Sequence, residues 1–552
     1  MPPALSTLLT NIHRRGALTA LLAVGVATLA IGWLAADEAA GSSTTVYREA
    51  VLGTPTRINP LAEHATQAEA DLTALIFSGL TRLRADGAPE PDLAERWEVT
   101  DDRLTYTFHL RPNVTWHDGA AFDAQDVAYT IGRIQAEDFN GPAALKAEWE
   151  GVQVFVDDAL TVLIRLPEPA ADFLVRATLG LLPEHLREQM EAGQGFDTRP
   201  FDREPVGTGP YRLTSLSDGS ARLRHNTSYF RGTPPITELV LRFAESEAEQ
   251  LDWIEAGEVD AALLPDFVEA AAIEGVTATR SSLTATRLTT DAQTILYFNN
   301  QRGPLTDART RAALAASVDT VALVEGSATP QVPGAGVVPP DSYLHAEPGD
   351  VLSEDADAGG EPPPADAESL WAAAQWERDA EGRRIRDGEP LTLELVTNGE
   401  PARTALAEGL VRQFAEAGVT VELVTAPAQR VVNEYLRTGN YDLALFGWET
   451  PPDPDPYAAW HTSQIGLGNV AAFSDPEADA LMEAARTSLD VAERRELYGL
   501  FQARFEELGA SVVIAYPTMT YVHPSGLAGF EPMLLVDPAS RFQDITRWRI
   551  AD

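Results

Sequence analysis

The sequence contains no cysteine and only one lysine. The missing cysteines exclude disulfides, thiolate nucleophiles, cysteine-based zinc sites and a lipid tether carried on a cysteine. Lys146 is the single lysine. The chain has 41 lysine and arginine residues in total against 83 aspartate and glutamate residues, which gives a formal net charge of −42. Such a surface repels phosphate backbones, so we expect no nucleic-acid partner.

Catalytic signatures are also missing. None of the nine histidines forms H-E-x-x-H, and the chain has neither a G-x-S-x-G elbow nor a phosphate-binding P-loop. His117 and Asp118 could act as a base and its orienting acid, but Trp116-His117-Asp118-Gly119 lies between a strand and a helix. A turn in which Asp and Gly serve the backbone explains it better. We therefore predict no enzyme, no metal site and no cofactor.

A 20-residue run without charge, residues 17–36, lies between Arg14-Arg15 and Asp37-Glu38. That length suits a helix crossing the hydrocarbon core, and the basic flank stays inside the cell. We expect a cytoplasmic N-terminus (1–16), a membrane-spanning anchor (17–36), a linker (37–45) and an extracytoplasmic remainder. A cleaved signal peptide is the alternative, although its apolar region is usually about 7–15 residues and ends in an A-x-A site, which is absent here.

The remaining chain is too long for one hydrophobic core, so two or three lobes are expected. Its most readable part, residues 391–448, alternates strand and helix patterns as β-α-β-α-β, with apolar residues at every second and then every fourth position. This order predicts a parallel sheet covered by helices. Ligands of such sheets bind beyond the carboxyl ends of the strands, where Asn398 and the loop 448–457 are located.

The loop 448–457 combines four prolines with carboxylates and aromatic rings. Its carboxylates are Glu449, Asp453 and Asp455, its first aromatic is Trp448, and Trp460-His461 follow closely. Prolines fix φ and stiffen the loop, and aromatic faces beside carboxylates suit a cationic or amphipathic ligand. The alternative is a surface loop whose prolines prevent pairing at a sheet edge.

Residues 343–366 are rich in Asp, Glu, Gly and Pro and poor in large apolar residues. Because such a stretch cannot offset its ordering entropy by burial, we predict a disordered insertion there.

A dozen short motifs in order resemble the family 5 extracytoplasmic solute-binding proteins, the peptide, dipeptide and nickel group of ATP-binding-cassette importers. They extend through nearly everything after Tyr47. The motifs include INPL (58–61), LIFSGL (75–80), PDLAERW (91–97), WHDG (116–119), AQDVAY (124–129), LPEH (182–185), PVGTGPY (205–211), GEVD (257–260), RTRAALAASVD (309–319) and YDLALFGW (441–448).

The resemblance implies an α/β, two-lobed periplasmic-binding-protein-like fold of class II type. Residues 46–291 with 516–552 would form the first lobe, with an extra α/β subdomain at about 73–182, and 292–515 the second lobe. It also implies a monomer that captures a peptide or other small solute by lobe closure and works with a membrane permease. A sensor domain or an exported hydrolase on the same fold is the alternative.

The resemblance further places four residues at the cleft: His64 and Thr66 on the first lobe, Tyr297 and Asn299 on the opposite wall. One position departs from the family. Pro451 stands where peptide-binding relatives keep an Asp that holds the α-amino group. Charge recognition would then have to move to Glu449, Asp453 or Asp455.

Overall fold

A computed structural model describes residues 45–191, 199–265, 268, 270–327, 329, 331–346 and 366–550. The predicted cytoplasmic N-terminus, the anchor at 17–36 and all but the last residue of the linker lie outside these ranges. Within them, no helix has both the length and the apolar character needed to span a bilayer.

A twelve-stranded mixed sheet is the largest sheet in the described residues. Its main path runs Thr420–Ala426, Thr392–Asn398, Leu443–Glu449, Ala292–Phe298, Ser511–Pro524, Ala261–Pro265, Val46–Leu52, Glu238–Ala244, Ser220–His225 and Tyr211–Ser217. Leu283–Thr289 and Gln331–Pro333 also pair with the long strand Ser511–Pro524.

The predicted β-α-β-α-β unit is confirmed. Strand Thr392–Asn398 pairs in parallel with both Thr420–Ala426 and Leu443–Glu449. The first helix, Pro401–Ala417, begins with proline and ends at Gly418, whose φ of 88° is the left-handed conformation in which glycine commonly ends a helix. The second helix is a short α turn continued as the π-helix Val431–Leu436. The sheet is nevertheless mixed, because Ala292–Phe298 joins Leu443–Glu449 antiparallel.

Helices cover both faces of this sheet. The α-helical segments are Gln67–Ile76, Ala124–Gln135, Ala143–Glu148, Phe173–Arg176, Arg187–Met190, Arg199–Arg203, Glu247–Ala256, Ala270–Thr279, Ala308–Ala315, Thr320–Glu325, Ala367–Ala373, Pro401–Ala417, Ala428–Arg430, Tyr457–Trp460, Pro476–Thr487 and Val491–Glu507.

A separate four-stranded antiparallel sheet lies within residues 94–165. Its order is Ala94–Val99, Thr105–Leu110, Thr161–Arg165 and Gln153–Asp158. The helix Ala124–Gln135 packs beside it. Two-residue to three-residue strands make the remaining small sheets: Thr81–Leu83 with Pro89–Pro91, Leu527–Ala528 with Arg549–Ile550, and Glu377–Arg378 with Arg384–Arg386 and Glu389–Pro390.

The hydrophobic core of the described residues falls into four clusters. Two are built from residues within 47–288 and 519–550, and two from residues within 295–516, with Ala88 as the single exception. We call residues 46–291 with 516–550 the "first lobe" and residues 292–515 the "second lobe", after the division that the resemblance implies. The chain passes between them at residues 289–292 and 515–518, where the backbone N–H of Thr290 donates to the carbonyl of Pro517 at 3.1 Å.

The start of the predicted insertion differs from expectation. Tyr343 and Leu344 are buried, at 6% and 0% exposure, and His345 Nδ1 lies 3.0 Å from the carbonyl oxygen of Val338. Tyr343 and Leu344 pack against the core of the second lobe. The acidic residues that follow them in the sequence hide this short apolar segment. Residues 347–365 lie outside the described ranges.

Candidate functional site

A cavity of about 640 Å³ lies where the two lobes meet, beside the two chain crossings. Residues of the first lobe, of the second lobe and of both crossings line it. Three of its side chains are carboxylates, those of Asp291, Glu449 and Asp537. Pro451, Pro452 and Met519 supply apolar surface.

Strand register and a capped turn bring the three carboxylates to this cavity. Ala292 pairs with Glu449 on the neighbouring antiparallel strand, which places Asp291 beside the end of that strand. Asp537 precedes the 3₁₀ helix Pro538–Phe542 and caps it by accepting from Ser540 N at 2.8 Å. The backbone N–H of Asp291 donates to the carbonyl of Leu535, 3.2 Å away, so the C-terminal segment is tied to the crossing.

Asp291 lies close to two other acidic side chains. Burial, together with the neighbouring Glu449 and Asp537 carboxylates, raises the pKa of Asp291 to about 8. A cation placed in the cavity would lower the pKa of Asp291 again, because an opposite charge favours the ionised carboxylate. The geometry therefore suits recognition of a positively charged group, with apolar contacts from the prolines and Met519 alongside.

Asp453 is engaged by other protein groups. Arg494 donates to it through both terminal guanidinium nitrogens, Nη1 to Oδ2 at 2.8 Å and Nη2 to Oδ1 at 2.6 Å. The hydroxyl of Tyr343 donates to Oδ2 at 2.9 Å. Both charged side chains are only 4% exposed. This buried pair fixes the middle of the loop 448–457 against the helix Val491–Glu507.

Asp455 lies at a second, smaller cavity between the lobes, of about 220 Å³. Its carboxylate pairs with Arg486 Nε at 2.8 Å, and burial raises the pKa of Asp455 to about 6 despite that pair. The Arg486 guanidinium also stacks over the ring of Tyr457, 4.0 Å from its centre.

The predicted aromatic residues lie mostly in the interior. Trp460 and Tyr297 are both 2% exposed and stack on each other with ring centres 5.9 Å apart. Trp448 is half-buried and packs against the same core cluster. His461 is buried and stacks on Tyr457 at 4.0 Å.

The two predicted asparagines lie at opposite ends of the second-lobe sheet. Asn398 ends its strand on the side of Glu449 and accepts from Arg403 Nη1 at 2.8 Å. Asn299 follows Phe298, which pairs with Leu443 at the far end, and its amide donates to the carbonyls of Gly439 and Tyr441. The structure thus brings Asn398, but not Asn299, to the end of the sheet that carries Glu449.

His64 and Thr66 lie on a first-lobe loop. Thr66 caps the helix Gln67–Ile76 by accepting from Glu69 N at 3.3 Å, and His64 is exposed. The carboxylate of Glu69 accepts from the backbone N–H groups of Thr56 and Ala65, each at 2.7 Å, and so closes this loop on itself.

His117 and Asp118 lie in the turn that we predicted for them. Its Nδ1 accepts from Gly207 N at 3.3 Å, and its Nε2 donates to the carbonyl of Gly209 at 3.0 Å. Burial lowers the pKa of His117 to about 4, so the ring is neutral at pH 7. Asp118 accepts from Ala120 N within the turn and pairs with His185.

Sequence reasoning missed Asp291 and Asp537. Asp537 carries a readable signal, since Asp followed by Pro and then by Ser three residues on is typical of a helix start. Asp291 carries none, because its environment depends on a strand pairing with residues more than 150 positions away. In the part of the chain that the structure describes, no three His, Asp or Glu side chains cluster closely enough to hold a metal ion.

Comparisons with known proteins agree with the two-lobed architecture. The model of the bacterial extracellular solute-binding proteins, family 5 Middle, matches residues 88–468, more than half of the chain. Protein XP55 of Streptomyces lividans is 29% identical over 81% of this chain and 79% of its own length. Di/tripeptide-binding protein 4 of Pseudomonas aeruginosa is 28% identical over 91% of this chain and 95% of its own.

A solved structure shows the same fold. The substrate-binding protein CtaP of an ABC transporter from Listeria monocytogenes superposes with a TM-score of 0.73 at 21% identity, covering 92% of this chain and 99% of that one. The family model, the length of the shared alignment and this fold lead to one conclusion: the chain belongs to the bacterial extracellular solute-binding proteins of family 5.

Proposed function

We propose that this protein captures a small solute bearing a cationic group, such as the amino group of a peptide-like molecule, in the 640 Å³ cavity between its lobes. Outside the cytoplasm, it then delivers the solute to the membrane permease of an ATP-driven importer. The family membership supports the role of solute carrier, and the names of relatives such as the di/tripeptide-binding protein support a peptide-like ligand.

One observation carries the choice of a cationic solute: Asp291, Glu449 and Asp537 line one cavity, and burial with mutual repulsion raises the pKa of Asp291. The family resemblance implies that Pro451 occupies the position at which peptide-binding relatives keep an acidic anchor. We propose that Glu449, two residues earlier, together with Asp291, takes over that anchoring role.

The proposed mechanism is closure of the two lobes around the solute. Glu449 belongs to the second lobe and Asp537 to the first, so a cation between them contacts both. A ligand that contacts both lobes binds the closed form better than the open form and shifts the equilibrium toward closure. Asp453 contributes indirectly, by holding the loop that carries Glu449, Pro451 and Pro452.

Calorimetric titration with tri-lysine and with N-acetyl-tri-alanine, which has no cationic group, tests this proposal. We expect tri-lysine to bind the wild type and N-acetyl-tri-alanine to bind more weakly. Asp291→Asn and Glu449→Gln should each weaken tri-lysine binding about tenfold or more, because charge-assisted hydrogen bonds contribute roughly 1.5–3 kcal/mol. Glu422→Gln, an exposed site on the edge strand Thr420–Ala426, is the matched control and should bind as the wild type does. Equal affinity of all four proteins would refute the acidic site.

We also propose that the uncharged run 17–36 tethers the protein to the membrane. The motivation is its length and its flanking charges in the sequence. Full-length protein should then fractionate with membranes. N-terminal sequencing that finds a mature chain beginning near Asp37 would show a cleaved signal instead.

A further inference from the structure

A short hairpin of the first lobe reaches into the second lobe. Its strands are Thr81–Leu83 and Pro89–Pro91, and its turn is closed by Arg84 N donating to the carbonyl of Ala88 at 2.8 Å. Ala88, 9% exposed, belongs to a core cluster whose other buried members come from the second lobe, apart from Tyr516 at the chain crossing. The turn therefore contacts both lobes: Ala88 packs on the second, while Ala85 packs on the core of the first and its carbonyl accepts from Leu534 N at 3.0 Å.

Tyr343 receives this turn. Its backbone N–H donates to the carbonyl of Asp86 at 2.8 Å. Gly87 has a φ of +84°, and a Cβ built there would lie 3.8 Å from the Tyr343 ring and 3.9 Å from the carbonyl oxygen of Pro452. The tip of the hairpin is thus in contact range of both Tyr343 and the loop 448–457.

The same tyrosine is bonded to that loop by its side chain. Its hydroxyl donates to Asp453 Oδ2 at 2.9 Å, and its carbonyl accepts from Arg495 Nη2 at 2.7 Å. Asp453 directly follows Pro452, which lines the cavity between the lobes. A continuous set of contacts therefore leads from the cavity wall through Asp453 and Tyr343 to the first-lobe hairpin.

We propose that residues 81–91 form a latch that docks on the second lobe through Tyr343, so that the position of the loop 448–457 controls how firmly the lobes hold together. This inference rests on the proposed closure of the lobes. Tyr343 is a positioning residue, which acts through Asp453 and the hairpin rather than by contacting the solute.

The latch is small enough to open. It consists of one backbone hydrogen bond and one small buried side chain, while each lobe keeps its own core. A second contact also joins the lobes: Arg103 Nη1 donates to the carbonyl of Thr487 at 2.7 Å, and Ala171 N donates to that of Arg486 at 3.0 Å. Loss of the latch should therefore shift the balance between closed and open forms without abolishing closure.

The absence of cysteine makes this balance measurable. Spin labels on Asp157→Cys and Glu408→Cys, both exposed and in opposite lobes, would report the distance between the lobes without background labelling. Pulsed electron–electron double resonance on the solute-free, full-length protein gives the populations of short and long distances. Because no solute is added, a failure of cation binding leaves this test unaffected.

Three variants in the labelled background decide the question. Ala88→Asp places an unpaired charge in the docking contact and should raise the ratio of open to closed molecules about tenfold or more. Tyr343→Phe removes only the hydroxyl that bonds to Asp453 and should shift the ratio in the same direction by less. Ala159→Asp, in the exposed turn between the strands Gln153–Asp158 and Thr161–Arg165, is the control and should match the wild type.

Ala88→Ser serves as a milder substitution in case Ala88→Asp fails to fold. Unchanged distances in the folded Ala88 variant would overturn the latch. A shift in the Ala88 variant without one in Tyr343→Phe would overturn the link through Tyr343.

Discussion

At the scale of single residues, the protein places charged groups in two different environments. Asp453 and Arg494 form an ion pair in the interior, and each side chain is 4% exposed. Asp291 lies near two other carboxylates and has no opposite charge among the groups that shift its pKa. Such an uncompensated acid at a cavity is typical of a functional site, since perturbed pKa values cluster where a protein binds or reacts.

The raised pKa of Asp291 makes folding stability depend on pH. The folded protein holds this proton up to about pH 8, whereas the unfolded chain releases it near the ordinary aspartate value of 3.8. The folded state thus binds more protons in this interval, so stability falls as pH rises from about 4 to 8. Asp291→Asn removes this loss of stability. Its melting temperature should be higher than that of the wild type at pH 8 and equal to it at pH 4. Calorimetric scans that show a pH-independent difference would contradict this.

The buried pair of Asp453 and Arg494 predicts a large stability effect. Asp453→Asn leaves the Arg494 charge buried without its counter-ion and should lower the free energy of unfolding by about 3–5 kcal/mol. Glu434→Gln breaks the exposed pair with Arg430 and should lower the free energy of unfolding far less, because solvent screens exposed ion pairs. Urea unfolding of both variants measures the contrast, and similar losses in the two would mean that Asp453 does not hold the loop.

At the scale of elements, the first-lobe loop 56–65 depends on one side chain. Burial alone would raise the pKa of Glu69, but hydrogen bonds from Thr56, Ala65 and Arg57 outweigh it and hold the pKa below its ordinary value. Glu69→Ala should cost about 1–3 kcal/mol and speed hydrogen exchange at the amides of Thr56 and Ala65. Glu63→Ala, at an exposed site in the same loop, is the control. Unchanged exchange in Glu69→Ala would show that the loop is held otherwise.

Elements with a local pattern could be predicted from the sequence. The β-α-β-α-β unit of residues 391–448 follows from apolar residues at every second and then every fourth position. The packing of Tyr343 and Leu344 could not be predicted, because their partners are distant and the flanking composition is acidic. The π-helix Val431–Leu436 also lacks a local signal.

The candidate site divides in the same way. The loop 448–457 could be found because strand order places its start at the carboxyl end of a parallel strand. Which of its carboxylates is free could not be found, because Arg494, 41 positions after Asp453, decides it. Asp291 becomes part of the site only through the antiparallel pairing of Ala292 with Glu449, which no local pattern specifies.

At the scale of the whole molecule, the separate cores and the paired crossings at Thr290 and Pro517 suit motion of one lobe against the other. The net charge of −42 also favours approach of a cationic solute through its long-range field. Steering and recognition therefore use the same sign of charge.

The cavity between the lobes is proposed to hold a solute with a cationic group. Mass spectrometry of the small molecules released from mildly purified protein tests this most directly, with the double variant Asp291→Asn/Glu449→Gln purified in parallel. We expect a basic, amine-bearing molecule to be recovered with the wild type and largely lost from the double variant. Recovery of only neutral or acidic molecules, or equal recovery from both proteins, would contradict a cationic site.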